Sequence, residues 1–143
     1  MSNLSMGKNV SHYNQVNSVG GVTDADPHRL VMMLLDGALG KIATVKGLMM
    51  RNEIAKKGEV IGQAIAIVGG LKASLNKEEG GAIALNLDNI YEYIERRLLE
   101  SNIKNDVNIL EEVASLLQEI KLAWNSIPAD ARTLPAPGLS VVS

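Results

Sequence analysis

Four stretches of the chain repeat apolar residues at intervals of three and four, the spacing that keeps one face of an α-helix apolar. The first follows Asp26-Pro27, where the carboxylate suits an N-cap and the proline suits the first helical position. Gly80-Gly81 marks a break between the second and third stretches. The pattern predicts helices over about 27–51, 53–75, 82–102 and 107–126. Short loops between helices of this length predict an all-α fold, an antiparallel up-and-down four-helix bundle over residues 26–127.

One stripe of each predicted helix is assigned to the core. In the first two helices these stripes are Leu30, Leu34, Ala38, Ile42, Val45 and Met49, then Val60, Ile61, Ala64, Val68, Leu71 and Leu75. In the last two they are Ile83, Leu87, Ile90, Tyr91, Ile94 and Leu98, then Leu110, Val113, Leu117, Ile120 and Trp124. The chain has no Phe and one Trp, so the core must be aliphatic, which favours closely packed helices over a β-sandwich.

The two ends of the chain lack a lasting helical period. Residues 1–25 are rich in Ser, Asn and Gly, with apolar residues such as Val10 and Tyr13 at about every third position. We interpret this segment as a flexible N-terminal arm, with an ordinary disordered terminus as the alternative. Residues 128–143 include three prolines and have no period, which predicts an unstructured tail.

Composition and charge exclude several classes of function. The chain has 143 residues with 14 basic and 16 acidic side chains, so it fits one domain and offers no basic cluster for nucleic acid. It has no cysteine, which excludes disulfides, a thiol nucleophile and thiolate metal sites. No stretch reaches the ~18 consecutive apolar residues of a membrane span, and no secretory pattern is evident. We therefore expect a cytosolic protein without membrane insertion.

Candidates for catalysis or metal binding are few. His28 lies beside Asp24 and Asp26 at the start of the first helix, where capping and the helix dipole explain all three better than a metal ion does. A phosphotransfer protein using His28 is a remote alternative, because such a histidine belongs on an exposed face in mid-helix. We expect no enzyme activity, no catalytic residue, no metal and no cofactor.

Three charged features receive structural interpretations. Asp36 interrupts an apolar run, so we expect an ion pair with a neighbouring helix. Glu92 stands four residues before Arg96, the spacing of a helix-stabilising pair. Two acidic pairs are expected to be solvated, Glu78-Glu79 and Glu111-Glu112.

The first two helices carry more apolar or small surface than a bundle needs for its own core. The methionine stripe of the first helix consists of Met32, Leu39, Ala43 and Met50. The small-residue stripe of the second helix consists of Ala55, Gly58, Gly62, Ala66, Gly69 and Ala73. Each mid-helix glycine costs about 0.8–1 kcal/mol relative to alanine, so three on one stripe indicate close approach of another helix. That helix is either a neighbour in the bundle or an external partner in a shallow groove.

Four segments match known motifs. Residues 27–38, PHRLVMMLLDGA, match PHxLIxMLYDGA except at Val31 and Leu35, and residues 57–65, KGEVIGQAI, match KGExIxxAI. Residues 80–102, GGAIALNLDNIYEYIERRLLESN, follow GGxIAxNLxxLYxYxxRRLxxAN, with Ile90 in place of Leu and Ser101 in place of Ala, and residues 13–15 carry a Tyr-x-Gln motif. On these motifs the chain resembles the flagellin-specific export chaperones of the FliS type from about Tyr13 to Pro128.

The resemblance implies a cytosolic helical bundle that binds the disordered C-terminal segment of flagellin. It would prevent premature polymerisation and deliver flagellin to the flagellar type III export gate. The alternative is a chaperone of another flagellar export substrate. The open stripes also allow a homodimer of the cargo-free protein.

The candidate partner-binding residues come from the two stripes, the arm and the motifs. They are Val10, Tyr13, Met32, Leu39, Met50, Ala55, Gly58, Gly62, Ile65, Ala66, Gly69, Tyr91 and Tyr93. For the arm we expect Val10 and Tyr13 to cover part of the empty groove, which limits an exposed apolar patch. The alternative is that Tyr13 contacts the cargo itself.

Overall fold

A computed structural model describes residues 26–126 of the chain and contains four α-helices there. The helices are α1 (Pro27–Met50), α2 (Ile54–Ala73), α3 (Lys77–Lys104) and α4 (Val107–Asn125). Each helix packs against two others, so that the bundle closes in the order α1, α2, α3, α4 and back to α1. The predicted arm over 1–25 and the predicted tail over 128–143 lie outside the described residues.

Contacts between helices establish that neighbours run in opposite directions. The start of α1 meets the end of α4, where the indole nitrogen of Trp124 donates to the backbone oxygen of His28 at 2.9 Å. The start of α2 meets the end of α3, where the ammonium of Lys57 donates to the backbone oxygen of Asn102 at 3.1 Å. The all-α fold class and the predicted four-helix bundle are therefore confirmed.

Aspartates cap the starts of α1 and α4. The Asp26 carboxylate accepts from the backbone N–H of His28 at 3.2 Å, and Pro27 occupies the first helical position as predicted. The Asp106 carboxylate accepts from the backbone N–H of Asn108 at 2.9 Å. Both helices thus begin where a short acidic side chain can satisfy an amide that has no partner within the helix.

Asparagines end α1 and α3. Asn52 has φ 59° and Asn105 has φ 55°, the left-handed conformation that terminates many helices. After α1, the N–H of Glu53 donates back to Leu48 O at 2.9 Å, and after α3 the N–H of Asp106 donates back to Ser101 O at 3.3 Å. These bonds satisfy carbonyls of the last helical turn and reverse the chain within a few residues.

A glycine kink divides α3. Gly81 has φ 55° and ψ −132°, a conformation that residues with a Cβ rarely adopt. One helical turn beginning at Lys77 precedes the kink. The helix α3 therefore starts five residues earlier than the predicted start at residue 82. The break predicted at Gly80-Gly81 is present as a change of direction inside the helix.

The core is aliphatic, as expected from the absence of Phe. Leu71, Leu98, Leu110 and Leu117 are among its fully buried side chains. The predicted core stripes of α2 and α4 are buried except for Leu75 and Ile120, which are half-buried at the core edge.

The predicted core stripe of α1 is wrong in its first two turns. Val31 and Leu35 are buried there, whereas Leu30 and Leu34 are half-buried. This part of α1 is apolar on all sides, so periodicity alone cannot decide which side chains point inward. Packing against both α2 and α4 decides it, and Leu34 is placed at the seam with α2, near Gly70.

The predicted core of α3 is wrong at its start. Ile83 is 53% exposed, and the buried residue of this turn is Ala84. Ile83 follows the kink closely and lies at the end of the bundle, where it lines an open cavity instead of the core. From Tyr91 onward, the predicted inward residues Tyr91, Ile94 and Leu98 are buried.

Candidate partner-binding surfaces

The methionine stripe lies outside the core. Met50 is 80% exposed and Ala43 is exposed, whereas Met32 and Leu39 are half-buried against the edge of the core. At about 100° per residue, Asp36 lies beside this stripe, and its carboxylate pairs with Lys121 of α4 at 2.7 Å. The predicted cross-helix ion pair of Asp36 is confirmed. The methionine stripe therefore borders α4.

The small-residue stripe also lies at the surface. Gly58 and Gly69 are half-buried, as is the adjacent Ile65, and the other members of the stripe are exposed. A Cβ added to Gly58 would lie 3.9 Å from the Asn102 side chain, and one added to Gly69 would lie 3.6 Å from a Glu95 oxygen. The stripe therefore borders α3.

No helix of the described bundle packs closely on the small-residue stripe. A Cβ added to Gly62, near the middle of the stripe, would meet no atom within 4 Å outside its own helical surroundings. At Gly58 and Gly69 the nearest atoms belong to polar side chains and not to a helix backbone. Residues 26–126 thus leave unexplained the helix-propensity cost of these glycines, about 0.8–1 kcal/mol each.

The α2–α3 groove has the small-residue stripe on one side and exposed apolar side chains of α3 on the other. Leu99 is 54% exposed and Ile103 is 81% exposed. They follow Glu95 at intervals of four, so they lie on the side of α3 that faces α2. We did not single out these two residues from the sequence, although apolar residues off the core stripe at helical spacing were the signal that could have found them.

A lysine joins the two sides of this groove. The Lys72 ammonium lies 3.0 Å from the Glu95 carboxylate and 3.8 Å from that of Glu92. The hydrogen bond that the Lys72 ammonium donates to Glu95 is the main cause that raises the pKa of Lys72. Glu92 therefore faces α2 and does not form the predicted pair with Arg96, because a cation on the neighbouring helix lies closer to it.

The two stripes form separate surfaces. The methionine stripe borders α4 and the small-residue stripe borders α3, while the seam between α1 and α2 lies between them. At that seam a Cβ on Gly37 would touch Ile67 at 3.5 Å. One straight helix cannot lie along both stripes, so a partner that covers both must wrap around the bundle or supply two segments.

Tyr91 is not at the surface. It is 3% exposed, and burial raises the pKa of its hydroxyl to about 12. Tyr91 is a predicted partner contact, but unlike the stripe residues it does not lie on an open surface. A partner can reach it only through the cavity that its side chain lines.

Tyr93 is half-buried and belongs to a polar network between α3 and α4. Its hydroxyl donates to the Glu112 carboxylate at 2.5 Å, and Arg97 donates to the other Glu112 oxygen at 2.8 Å. The bonds from Tyr93 and Arg97, in that order, lower the pKa of Glu112. Glu112 is therefore a bridge between helices, which corrects the expectation that it is merely solvated, while its neighbour Glu111 is exposed.

The end cavity lies where α1 begins and α4 ends, and its volume is about 330 Å³. Its lining is mostly apolar, with Leu75 from the loop after α2, Ile83 and Tyr91 from α3, and Trp124 from α4. No pattern in the sequence predicts this cavity. Val10 and Tyr13, the predicted contacts from the arm, lie outside the described residues.

His28 has a structural role at this end of the bundle. It is 7% exposed, stacks on Trp124 with ring centroids 5.4 Å apart, and its Nε2 lies 2.9 Å from the Trp124 backbone oxygen. Within residues 26–126, no three His, Asp or Glu side chains are grouped as metal ligands would be. The geometry thus gives His28 a place in packing, with its Nε2 engaged by a backbone carbonyl.

No helix of the described range combines the length and the apolar character needed to cross a membrane.

Comparisons with known proteins identify the family. Residues 9–131 match the family model described as flagellar protein FliS. The flagellar secretion chaperone FliSB of Pseudomonas aeruginosa is 46% identical over 120 residues, which cover 84% of this chain and 95% of that protein. The flagellar secretion chaperone FliS of Salmonella typhimurium is 41% identical over 123 residues, covering 85% and 91%, and that of Vibrio cholerae is 35% identical over 129 residues, covering 90% and 95%. The chain therefore belongs to the FliS family of flagellar proteins.

Proposed function

We propose that this chain is a cytosolic flagellar secretion chaperone that binds the C-terminal segment of flagellin. Bound flagellin is kept from polymerising early and is delivered to the flagellar type III export apparatus. Family membership supports this function, since the relatives are named flagellar secretion chaperones, and it makes the chain a chaperone and not an enzyme. The structural observation that carries the proposal is the small-residue stripe, which stays open at Gly62.

The two stripes suggest how an amphipathic segment would bind. Small residues let a helix backbone approach α2 closely, as in helix-in-groove recognition, while exposed Leu99 and Ile103 supply apolar contacts on the α3 side. The methionine stripe offers unbranched side chains that adapt to varied apolar surfaces. Since the stripes face different sides, the cargo contacts them with two segments joined by a connection that passes around the bundle.

Coupled folding keeps such a complex releasable. A cargo segment that is disordered when free must be ordered on binding, at a cost of about 2–5 kcal/mol or more. The contact area can therefore be large while the complex still dissociates, which suits delivery to an export apparatus. In the absence of cargo the same exposed stripes provide a surface for a homodimer.

Calorimetric titration tests the cargo assignment. We expect one-to-one binding of full-length flagellin with a negative heat-capacity change, because apolar surface is buried. Flagellin that lacks its C-terminal segment should give no binding heat. Equal binding of the truncated flagellin would contradict the proposal and would favour another part of flagellin, or another export substrate, as the cargo.

The same titration tests the arm. If Val10 and Tyr13 cover an empty groove, a protein lacking residues 1–20 should bind flagellin more tightly or self-associate. If Tyr13 instead contacts the cargo, the shortened protein should bind more weakly. Unchanged affinity and oligomeric state would exclude both roles.

A further inference from the structure

The end cavity is an apolar space for which the described part of the bundle provides no occupant. Leu87 and Ile120 continue its apolar lining, and Ile83 at its mouth is 53% exposed. A cavity of about 150 Å³ corresponds to one truncated leucine, so about 330 Å³ has room for about two aliphatic side chains. Such a space open to water favours filling by apolar groups.

The chain itself has a suitable segment close by. Trp124 lines the cavity, and the described structure ends two residues later, at Ser126. Residues 133–143, TLPAPGLSVVS, carry no charged side chain and end in an apolar group, Leu139, Val141 and Val142. Leu139 lies 13 residues beyond Ser126, and at about 3.3 Å per residue that length spans up to about 43 Å, enough to turn back to the cavity.

We propose that residues 139–142 of this chain occupy the end cavity. Charge favours this segment over the end of the N-terminal arm, because Asp24 of the arm carries a charge and Asp26, the next acidic residue along the chain, is already engaged as the α1 cap. The proline-rich stretch before Leu139 is restricted even in the unfolded chain, which reduces the entropy lost on docking. The family model stops at residue 131, so residues 139–142 lie outside the part of the chain that the family match covers.

The tryptophan gives a direct readout, because Trp124 is the only one in the chain and lines the cavity. Removing residues 133–143 should shift its emission to longer wavelength and increase quenching by acrylamide. Leu139→Asp with Val141→Asp in the full chain should do the same. The matched control, Ser140→Asp with Ser143→Asp, adds the same charge and should change neither value. Helical circular dichroism checks that each variant is folded.

A disulfide test identifies the occupant, since the chain has no cysteine of its own. Ile83→Cys paired with Val141→Cys should form an intramolecular disulfide in the folded monomer, whereas Ile83→Cys paired with Val10→Cys should not. Preferential crosslinking to position 10 would overturn the proposal and give the cavity to the arm. Unchanged Trp124 fluorescence in both the truncated and the Asp-substituted proteins would also overturn it, and would leave the cavity for an external partner.

Discussion

At the scale of single residues, Lys57 is a buried cation that joins two helices. It is 3% exposed, and its ammonium donates to Asn102 O at 3.1 Å and to the Asn105 side chain at 2.9 Å. The bond to Asn102 satisfies a carbonyl in the last turn of α3, where the helix dipole also favours a positive charge. The lysine of the KGE motif thus has a structural role at the turn between α3 and α4.

We expect Lys57→Met to lower the free energy of unfolding by about 1–3 kcal/mol, because the half-buried Asn102 oxygen loses its donor and the link between α2 and α3 is broken. Lys56→Met is the matched control. Lys56 is exposed and makes only a surface ion pair with Glu59 at 3.6 Å, so its loss should cost less than about 1 kcal/mol. Urea denaturation measures both, and equal effects would contradict the role given to Lys57.

Tyr91 provides a test at high pH. Its pKa rises on folding from 10.0 to about 12, since burial disfavours the phenolate. Between these values the unfolded chain releases a proton that the folded chain retains, so stability falls as pH rises through this range. At about pH 11 this one group should cost about 1.4 kcal/mol relative to neutral pH.

Tyr91→Phe removes that contribution and leaves the other titrating groups, including Tyr93, in place. Urea denaturation of both proteins at neutral and high pH should therefore give a smaller loss for the variant. The same loss in both proteins would mean that Tyr91 is not shielded from water as the structure describes.

At the scale of elements, alanine substitutions at two exposed glycines can distinguish an effect on helix stability from an effect on flagellin binding. Gly62 on the small-residue stripe and Gly40 on α1 both have open space where a Cβ would lie. Alanine at either position should stabilise the protein by about 0.5–1 kcal/mol. Only Gly62→Ala should weaken flagellin binding, by about 1–3 kcal/mol, because an added methyl group overpacks a close helix contact.

Thermal unfolding and calorimetric titration of the two variants measure these effects. A gain in stability at position 62 without a loss of affinity would show that the stripe is not a cargo contact. A similar loss of affinity for Gly40→Ala would show that the effect is not specific to the small-residue stripe of α2.

The elements could be predicted well where local chemistry sets them. Asp26-Pro27 predicts a helix start and Gly80-Gly81 predicts a helix break from the properties of these residues alone. The structure has the start of α1 at the first pair and the kink of α3 at the second. The inward face of early α1 could not be predicted, because Val31, Leu34 and Leu35 are all apolar and packing against two neighbouring helices chooses among them.

The candidate site could be predicted only in part. Helical spacing predicts that α1 and α2 carry small and apolar residues outside their core stripes, and the structure places these residues at the surface. That the two stripes border different helices depends on how the bundle closes, and spacing within one helix carries no such information. The burial of Tyr91 and the apolar contribution of Leu99 likewise depend on contacts between distant parts of the chain.

At the scale of the whole molecule, the bundle presents two apolar surfaces separated by the seam of α1 and α2. A cargo that wraps around the bundle should gain free energy at both surfaces. Because they share no residues, damage to the two should add, as expected for independent sites.

The most direct test measures flagellin affinity after placing one charge in each stripe. Ala43 and Ala66 are both exposed, so Ala43→Asp and Ala66→Asp leave the core intact. Each should weaken binding about tenfold or more, since the carboxylate would be buried against apolar cargo, and the double variant should lose about the sum of the two free energies. Thr44→Asp and Gln63→Asp, exposed neighbours outside the stripes, should bind as the parent protein does. Loss of affinity from only one stripe, or equal loss from the controls, would contradict binding on both surfaces.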